Sequence, residues 1–293
     1  MVMERRHLAQ FVAVVDSESI SEAARRLHVS QPAVSQSIRE LEKALDTPLF
    51  VRGRRLTLTP AGRALVGPAR QTLRSFDNAR AAVQSVESLH TGRLDLAVVH
   101  GLAVDPLAPL LVRFRRRYPD VTVRLQHAPF GVEGFEILRR GEAELLLTDH
   151  PGPFPKHSSI EIPVSDLMVA FSPKATDIPP GDIVELADLV RFPLIIGLPE
   201  RSASQQAFVA EVASANLPLP TLVVETEHRE VILPLLLEGV GAAVLSAPEA
   251  MTAASMGAQI RRIDLPPLRS CVLYHRHDPL SPAASAFVSL VRS

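Results

Sequence analysis

Two sets of residues in this chain have types and spacing suited to recognition. In "LHVSQPAVSQSIRELEKAL", residues 27–45, Val34, Ile38, Leu41 and Leu45 recur at spacings of four, three and four, which puts them on one face of a helix. The opposite face carries Gln31, Ser35, Gln36 and Arg39. Hydroxyls and planar amides of this size address base edges or nearby phosphates, and an arginine one turn further along suits a phosphate. Downstream, Arg52, Arg54 and Arg55 crowd around Gly53 between the extended runs "PLFVR" and "RLTLT". Three arginines at a hairpin tip suit a sugar–phosphate backbone or a minor groove. The second set, histidines and other polar residues scattered between positions 100 and 228, needs a fold to gather it.

The elements that hold the first set are short helices. "MERRHLAQFVAVVDS" places Leu8, Phe11, Val12 and Val15 on one face, and Ser17 or Ser19 can cap a second helix that buries Ile20, Ala23, Ala24 and Leu27. Ser30 is the expected N-cap of the third helix, and Pro32 sits in its first turn, where a missing N–H costs nothing. That helix runs from near Gln31 to about Leu45, and Asp46 follows where a left-handed residue is needed. A linker of about three residues, "HVS", separates the last two helices, the arrangement of a helix-turn-helix whose second helix enters the major groove. The expected DNA-contacting residues are therefore Ser30, Gln31, Pro32, Ser35, Gln36 and Arg39, with Arg52, Arg54 and Arg55 on a wing.

"AARRLHVSQPAVSQSIRELEKALDTPLFVR" resembles the LysR-type family of bacterial transcriptional regulators. The shared pattern is two alanines, a leucine, a Gln/Ser-rich helix ending in Leu41-Glu42, and then Leu49-Phe50-x-Arg52. Asp46 departs from it, since the family usually has Gly there, and this implies a small stability cost. The resemblance implies a winged helix-turn-helix head at 1–59, a dimerising linker helix at 60–90 and an effector-binding domain at 91–293.

The linker has its own signal. Thr59 is placed to cap a helix beginning at Pro60, with Pro68 expected to kink it. Leu65, Ala69, Leu73, Phe76, Ala79, Val83 and Val86 recur at an average spacing of 3.5, the period of a coiled-coil seam. A narrow stripe on so long a helix calls for a partner chain. Folding back on its own chain is the alternative. In the family such helices pair antiparallel and present two heads to an inverted repeat.

From residue 92 strands and helices alternate: "RLDLAVV", "VTVRLQH", "AELLLTD", "DLMVAFSP", "FPLIIGL", "TLVVETE", "AAVLSA" and "SCVLYHR" read as strands, and the segments between them, including "DIVELADL", as helices. The pattern indicates parallel sheets covered on both faces. Chain crossovers near 163 and 266 divide it into two lobes, 91–162 with 267–293 and 163–266, around a cleft. The family's effector domain is similar to periplasmic solute-binding proteins, which agrees with an α/β two-lobed architecture. Ligands in such sheets sit at the carboxyl ends of strands. That rule selects His100, Leu102, Pro129, Phe130 and His150 in the first lobe, and Gly197, Arg201, Ser202, Glu227 and His228 in the second. Ser202 and the free amides around it could receive a carboxylate, assisted by Arg201. His100 stands where the family more commonly has Ser or Thr.

Composition excludes several classes. Apolar content of 46% with 22% charged residues is ordinary for a globular protein, and no stretch approaches the ~20 apolar residues of a membrane span. The apolar patch near the N-terminus is broken by Gln10 and Asp16 and lacks a small-residue cleavage site, so a cytoplasmic amphipathic helix is expected rather than a signal peptide. Residues 1–90 hold 13 Lys+Arg against 9 Asp+Glu, and the rest 18 against 23, a +4 head beside a −5 body. Cys271 stands alone as a structural thiol. His275 and His277 lack a third ligand at metal spacing, and no nucleotide loop or nucleophile elbow is present. The expectation is a cytoplasmic homodimer or homotetramer without catalytic residues, metal or cofactor. Its partners are double-stranded DNA, a small anionic effector and RNA polymerase. A structural head on a sensing domain, and an enzyme using the cleft, are the alternatives that footprinting and turnover assays separate.

Overall fold

The computed structural model describes residues 2–51, 56–84 (for 78 and 80–84 the backbone alone), 92–149, 152, 154, 157–265, 270–277 and 279–293. The chain opens with helices α1 (Arg5–Ser17), α2 (Ile20–Arg26) and α3 (Gln31–Ala44). Ser19 caps α2 by accepting from the Glu22 amide at 3.3 Å, and Ser30 caps α3 by accepting from the Ala33 amide at 3.4 Å. Leu8, Phe11, Val14, Ala23, Ala24, Val34, Ile38 and Leu41 form one buried core. Leu45 does not join it: α3 ends at Ala44, and Leu45 is 37% exposed. Asp46 does adopt the left-handed conformation, at φ 47°. The Glu42 carboxylate accepts from the amides of Leu49 and Phe50, at 2.8 and 3.3 Å, and so anchors the wing to the third helix. The wing strands β1 (Phe50–Val51) and β2 (Thr57–Leu58) pair antiparallel.

Helix α4 (Pro60–Gln84) starts on Thr59, whose hydroxyl accepts from the Gly62 amide at 2.9 Å, and it runs on through Pro68. The first half of its apolar stripe is not left for a partner. Ala69 is buried in the head core, and Leu65 and Leu73 pack against it. Beyond them, Phe76, 50% exposed, and Ala79 face outward, and the side chain of Val83 lies outside the described residues. Val86 lies outside the described residues. On another face of α4, Arg70 pairs with Asp16 of α1 and, at 2.9 Å, with Glu142, while Arg74 donates to the carbonyl of Gly141. One helix thus touches both the head and the domain that follows.

That domain begins with β3 (Gly92–Val98), α5 (Ala108–Arg117), β4 (Val121–His127), α6 (Gly134–Arg139), β5 (Leu145–Thr148) and β6 (His157–Ile162). The chain then crosses to β7 (Leu167–Phe171), β8 (Ile183–Val184), α7 (Leu186–Leu189), β9 (Leu194–Gly197), α8 (Ala203–Ser214), β10 (Leu222–Thr226), α9 (Ile232–Glu238), β11 (Ala242–Ser246), α10 (Ala247–Ser255) and β12 (Gln259–Ile263). It returns with β13 (Cys271–Arg276) and α11 (Pro282–Arg292). Among the described residues, one sheet has the order β4-β3-β5-β13-β6 and the other β10-β9-β11-β7-β12-β8.

The sheets are mixed rather than parallel, because β13 runs antiparallel to both β5 and β6, and β7 antiparallel to both β11 and β12. Each crossover strand enters the opposite sheet against its direction. "DIVELADL" also differs from expectation: it splits into β8 and the single-turn α7, with Ile183 and Val184 paired to Arg262 and Ile263. Cys271 is 1% exposed, and burial, reinforced by the carboxylates of Asp149 and Asp105, pushes its thiol up to about 12. Iodoacetamide at pH 8 should therefore leave the native protein unlabelled and alkylate it only after unfolding, as read by intact mass.

Candidate nucleic-acid interface and effector cleft

Burial along α3 alternates in the way its two faces require. Val34, Ser37, Ile38 and Leu41 are buried, whereas Gln31, Pro32, Gln36 and Arg39 are exposed and Ser35 is half-buried. The turn before it closes without glycine, with His28 at φ 56° and the Val29 amide bonded to the Ala24 carbonyl at 3.0 Å. Arg39 folds back on its own helix, donating from Nε and Nη2 to the Gln36 oxygen at 3.2 and 2.9 Å. Arg52, Arg54 and Arg55 lie outside the described residues.

In the C-terminal domain, a cavity of about 250 Å³ is lined from one sheet by His100 and Phe130 and from the other by Gly197, Arg201, Ser202, Glu227 and His228. Leu102 lines a neighbouring cavity of about 790 Å³, which shares Phe130 and Ser202. Pro129 lines neither cavity; it is half-buried, with its carbonyl against Gly134. His150 lies outside the described residues. Sequence reasoning missed His127, Thr226 and Arg229. His127 is the last residue of β4, so the strand-end rule could have selected it instead of Pro129.

Electrostatics in the cleft are largely settled within the chain. Ala203, the first residue of α8, donates its amide to the Asp149 carboxylate at 3.0 Å, across from one lobe to the other. The amide expected to be free is thus already holding a carboxylate. Arg201 pairs with Glu227 at 3.3 Å on the exposed rim. Arg229 is largely buried and donates to both oxygens of Glu249, at 3.1 and 3.0 Å. It passes so close to Gly197 that a Cβ there would meet its Nη1 at 3.1 Å. The imidazoles of His100 and His127 stand 6.2 Å apart, and partial burial, then the neighbouring His100 and Arg201, push His127 below its usual value. At the crossover, Asp105 accepts from both the amide and the hydroxyl of Ser165, at 2.9 and 2.6 Å.

Among the described residues, no three His, Cys, Asp or Glu side chains gather as a metal set, and His277 is engaged instead with Ser158 at 3.1 Å. No helix among them is long and apolar enough to cross a membrane.

A winged helix-turn-helix head carried on a long helix, followed by two α/β lobes around a cleft, defines a ligand-responsive DNA-binding regulator. Residues 5–63 match the bacterial regulatory helix-turn-helix protein, lysR family, and residues 87–293 match the LysR substrate binding domain. The chain belongs to the LysR family of bacterial transcriptional regulators. It is 30% identical over 298 residues to the transcriptional regulator IlvR of Caulobacter vibrioides, covering 99% of this chain and 97% of that one. It is 29% identical over 298 residues to the nitrogen assimilation regulatory protein nac of Klebsiella aerogenes, covering 99% and 95%. Among solved structures, the LysR family regulator CbnR superimposes with a TM-score of 0.69 at 26% identity, covering 99% of this chain and 98% of that one. A full-length OxyR variant from Pseudomonas aeruginosa shares the fold, with a TM-score of 0.73 at 20% identity over 100% and 95% of the two chains.

Proposed function

We propose that this regulator binds an inverted-repeat operator as a homodimer or homotetramer and responds to a small anionic metabolite held between its lobes. The observation that carries the anionic reading is the Ala203 amide, which already binds a carboxylate, that of Asp149. Arg229 lines the same cavity as Ala203 and Asp149, and His100 and Arg201 line the adjoining one, which shares Arg229 and Ser202 with it. Residues 1–59 would form the DNA-binding head, 60–90 the pairing helix, and 91–293 the effector domain. Its lobes would be 91–162 with 267–293, and 163–266. Pairing through the exposed Phe76 and Ala79 of α4 would set two heads side by side. RNA polymerase would be the further partner, and the cytoplasm the place of action.

The reading is tested on both halves. A thermal-shift screen of small carboxylates should find a ligand that, at 100 times its Kd, stabilises the protein by about 2.7 kcal/mol. A panel that includes aliphatic and aromatic acids and raises no transition counts against the anionic site. On DNA, Ser35→Ala should lower operator affinity more than affinity for random duplex. Arg54→Ala should weaken both alike and reduce the salt slope by about one ion. Equal loss on both duplexes from Ser35→Ala would sink the base-reading role.

A further inference from the structure

The DNA-reading face of α3 is wired to a buried histidine in α1. His7 is 1% exposed, and the Glu4 amide donates to its Nδ1 at 3.1 Å. That contact makes Nδ1 the acceptor, so the ring proton resides on Nε2, which faces a Glu40 carboxylate oxygen at 3.2 Å. The other Glu40 oxygen accepts from the Gln36 amide nitrogen at 3.0 Å. Arg39 takes the remaining side of that amide, with Nε and Nη2 on the Gln36 oxygen.

These neighbours agree on one orientation of Gln36. A carboxylate only accepts and must face the amide nitrogen, whereas a guanidinium only donates and must face the oxygen. The Glu40 carboxyl is held below its usual value by the Gln36 hydrogen bond and then by His7 and Arg6, consistent with an ionised acceptor. What remains for a partner is the second amide proton of Gln36 and the outer protons of Arg39. Both are donors. Both lone pairs of the Gln36 oxygen are already engaged by Arg39.

Reading adenine through a glutamine requires one donor and one acceptor, to N7 and from N6, whereas guanine offers two acceptors, N7 and O6. We propose that Glu40 is a positioning residue that locks Gln36 and Arg39 into a donor-only pair and thereby selects guanine over adenine in each half-site. The inference rests on the reading that the exposed face of α3 contacts bases. Glu40 itself touches no base; it acts by denying Gln36 the flipped orientation.

The test is selection of bound duplexes from a random library by the full-length protein, with sequencing of the selected pool. The wild type should enrich guanine at a half-site position where Gln36→Ala erases the preference. Glu40→Gln keeps the shape and an oxygen for His7, so the head stays folded, as its melting temperature reports. Its amide nitrogen now faces Gln36, which turns its oxygen toward it and releases Arg39. The guanine-over-adenine preference at that position should then fall by about tenfold while other positions and random-duplex affinity hold. If Gln36→Ala erases the preference and Glu40→Gln leaves it intact, the positioning role is wrong and the base-reading face stands. If Gln36→Ala weakens all sequences alike, Gln36 contacts only phosphate, and both fail together.

Discussion

Full-length protein carrying Phe11→Ala is expected to lose operator binding while the C-terminal domain keeps its own melting transition. Phe11 is fully buried, at the centre of the head core, with its ring 5.6 Å from that of Phe50 and tilted by 57°. It therefore clamps α1 to the root of the wing as well as to the helices behind α3. Truncating a buried phenylalanine costs about 3–5 kcal/mol, because the surroundings refill the cavity only in part. A head of roughly 60 residues buries too little surface to absorb that loss, since total stabilities start near 5 kcal/mol. Calorimetry should show the head transition falling or vanishing. Fluorescence anisotropy with any duplex should show no binding at concentrations that saturate the wild type. A head transition unchanged in Phe11→Ala would contradict this core.

Arg229→Met should lower the melting temperature of the C-terminal domain by about 10 °C. The Arg229 and Glu249 side chains are 12% and 19% exposed, and Glu249 also accepts from the amide and hydroxyl of Ser246 at 3.0 and 2.7 Å. Removing the arginine strands a mostly buried carboxylate, an error that costs about 3–5 kcal/mol, and a domain of this size loses about 2–4 °C per kcal/mol. Adding Glu249→Gln to Arg229→Met removes the stranded charge. The double variant should therefore regain part of the loss, giving a coupling of about 1–3 kcal/mol. Additive losses would mean that the pair does not interact across the start of α10.

The head was legible because its signals are local. Ser30, Pro32 and the spacing of Val34, Ile38 and Leu41 determine where α3 starts and which way it faces, whatever the rest of the chain does. The same locality failed at Leu45, where the helix stops one residue short of the stripe. In the C-terminal domain most strands were visible as apolar runs, but β6, β12 and α11 were not read. "HSSIEI" and "QIRRI" are half-polar strands whose pairing comes from β13, β7 and β8, far away in the chain. Direction of pairing is likewise non-local, so mixed sheets looked parallel. Cleft residues at strand ends could be proposed one by one, and most of them do line the cavity. Their mutual engagements could not: nothing local tells Asp149 that it will meet the amide of Ala203, 54 positions on.

A carboxylate tethered beside its own receptor is a rival that never diffuses away. Short tethers of this kind act as though the rival were present at millimolar concentration. An anion that binds the Ala203 amide no better than Asp149 does half-displaces it only near that level. Each further ~1.4 kcal/mol of contact with the lobes lowers the threshold tenfold. If the effector is an anion, as proposed, the cleft would be deaf to trace anions and would answer to those that are abundant or that grip more of its walls.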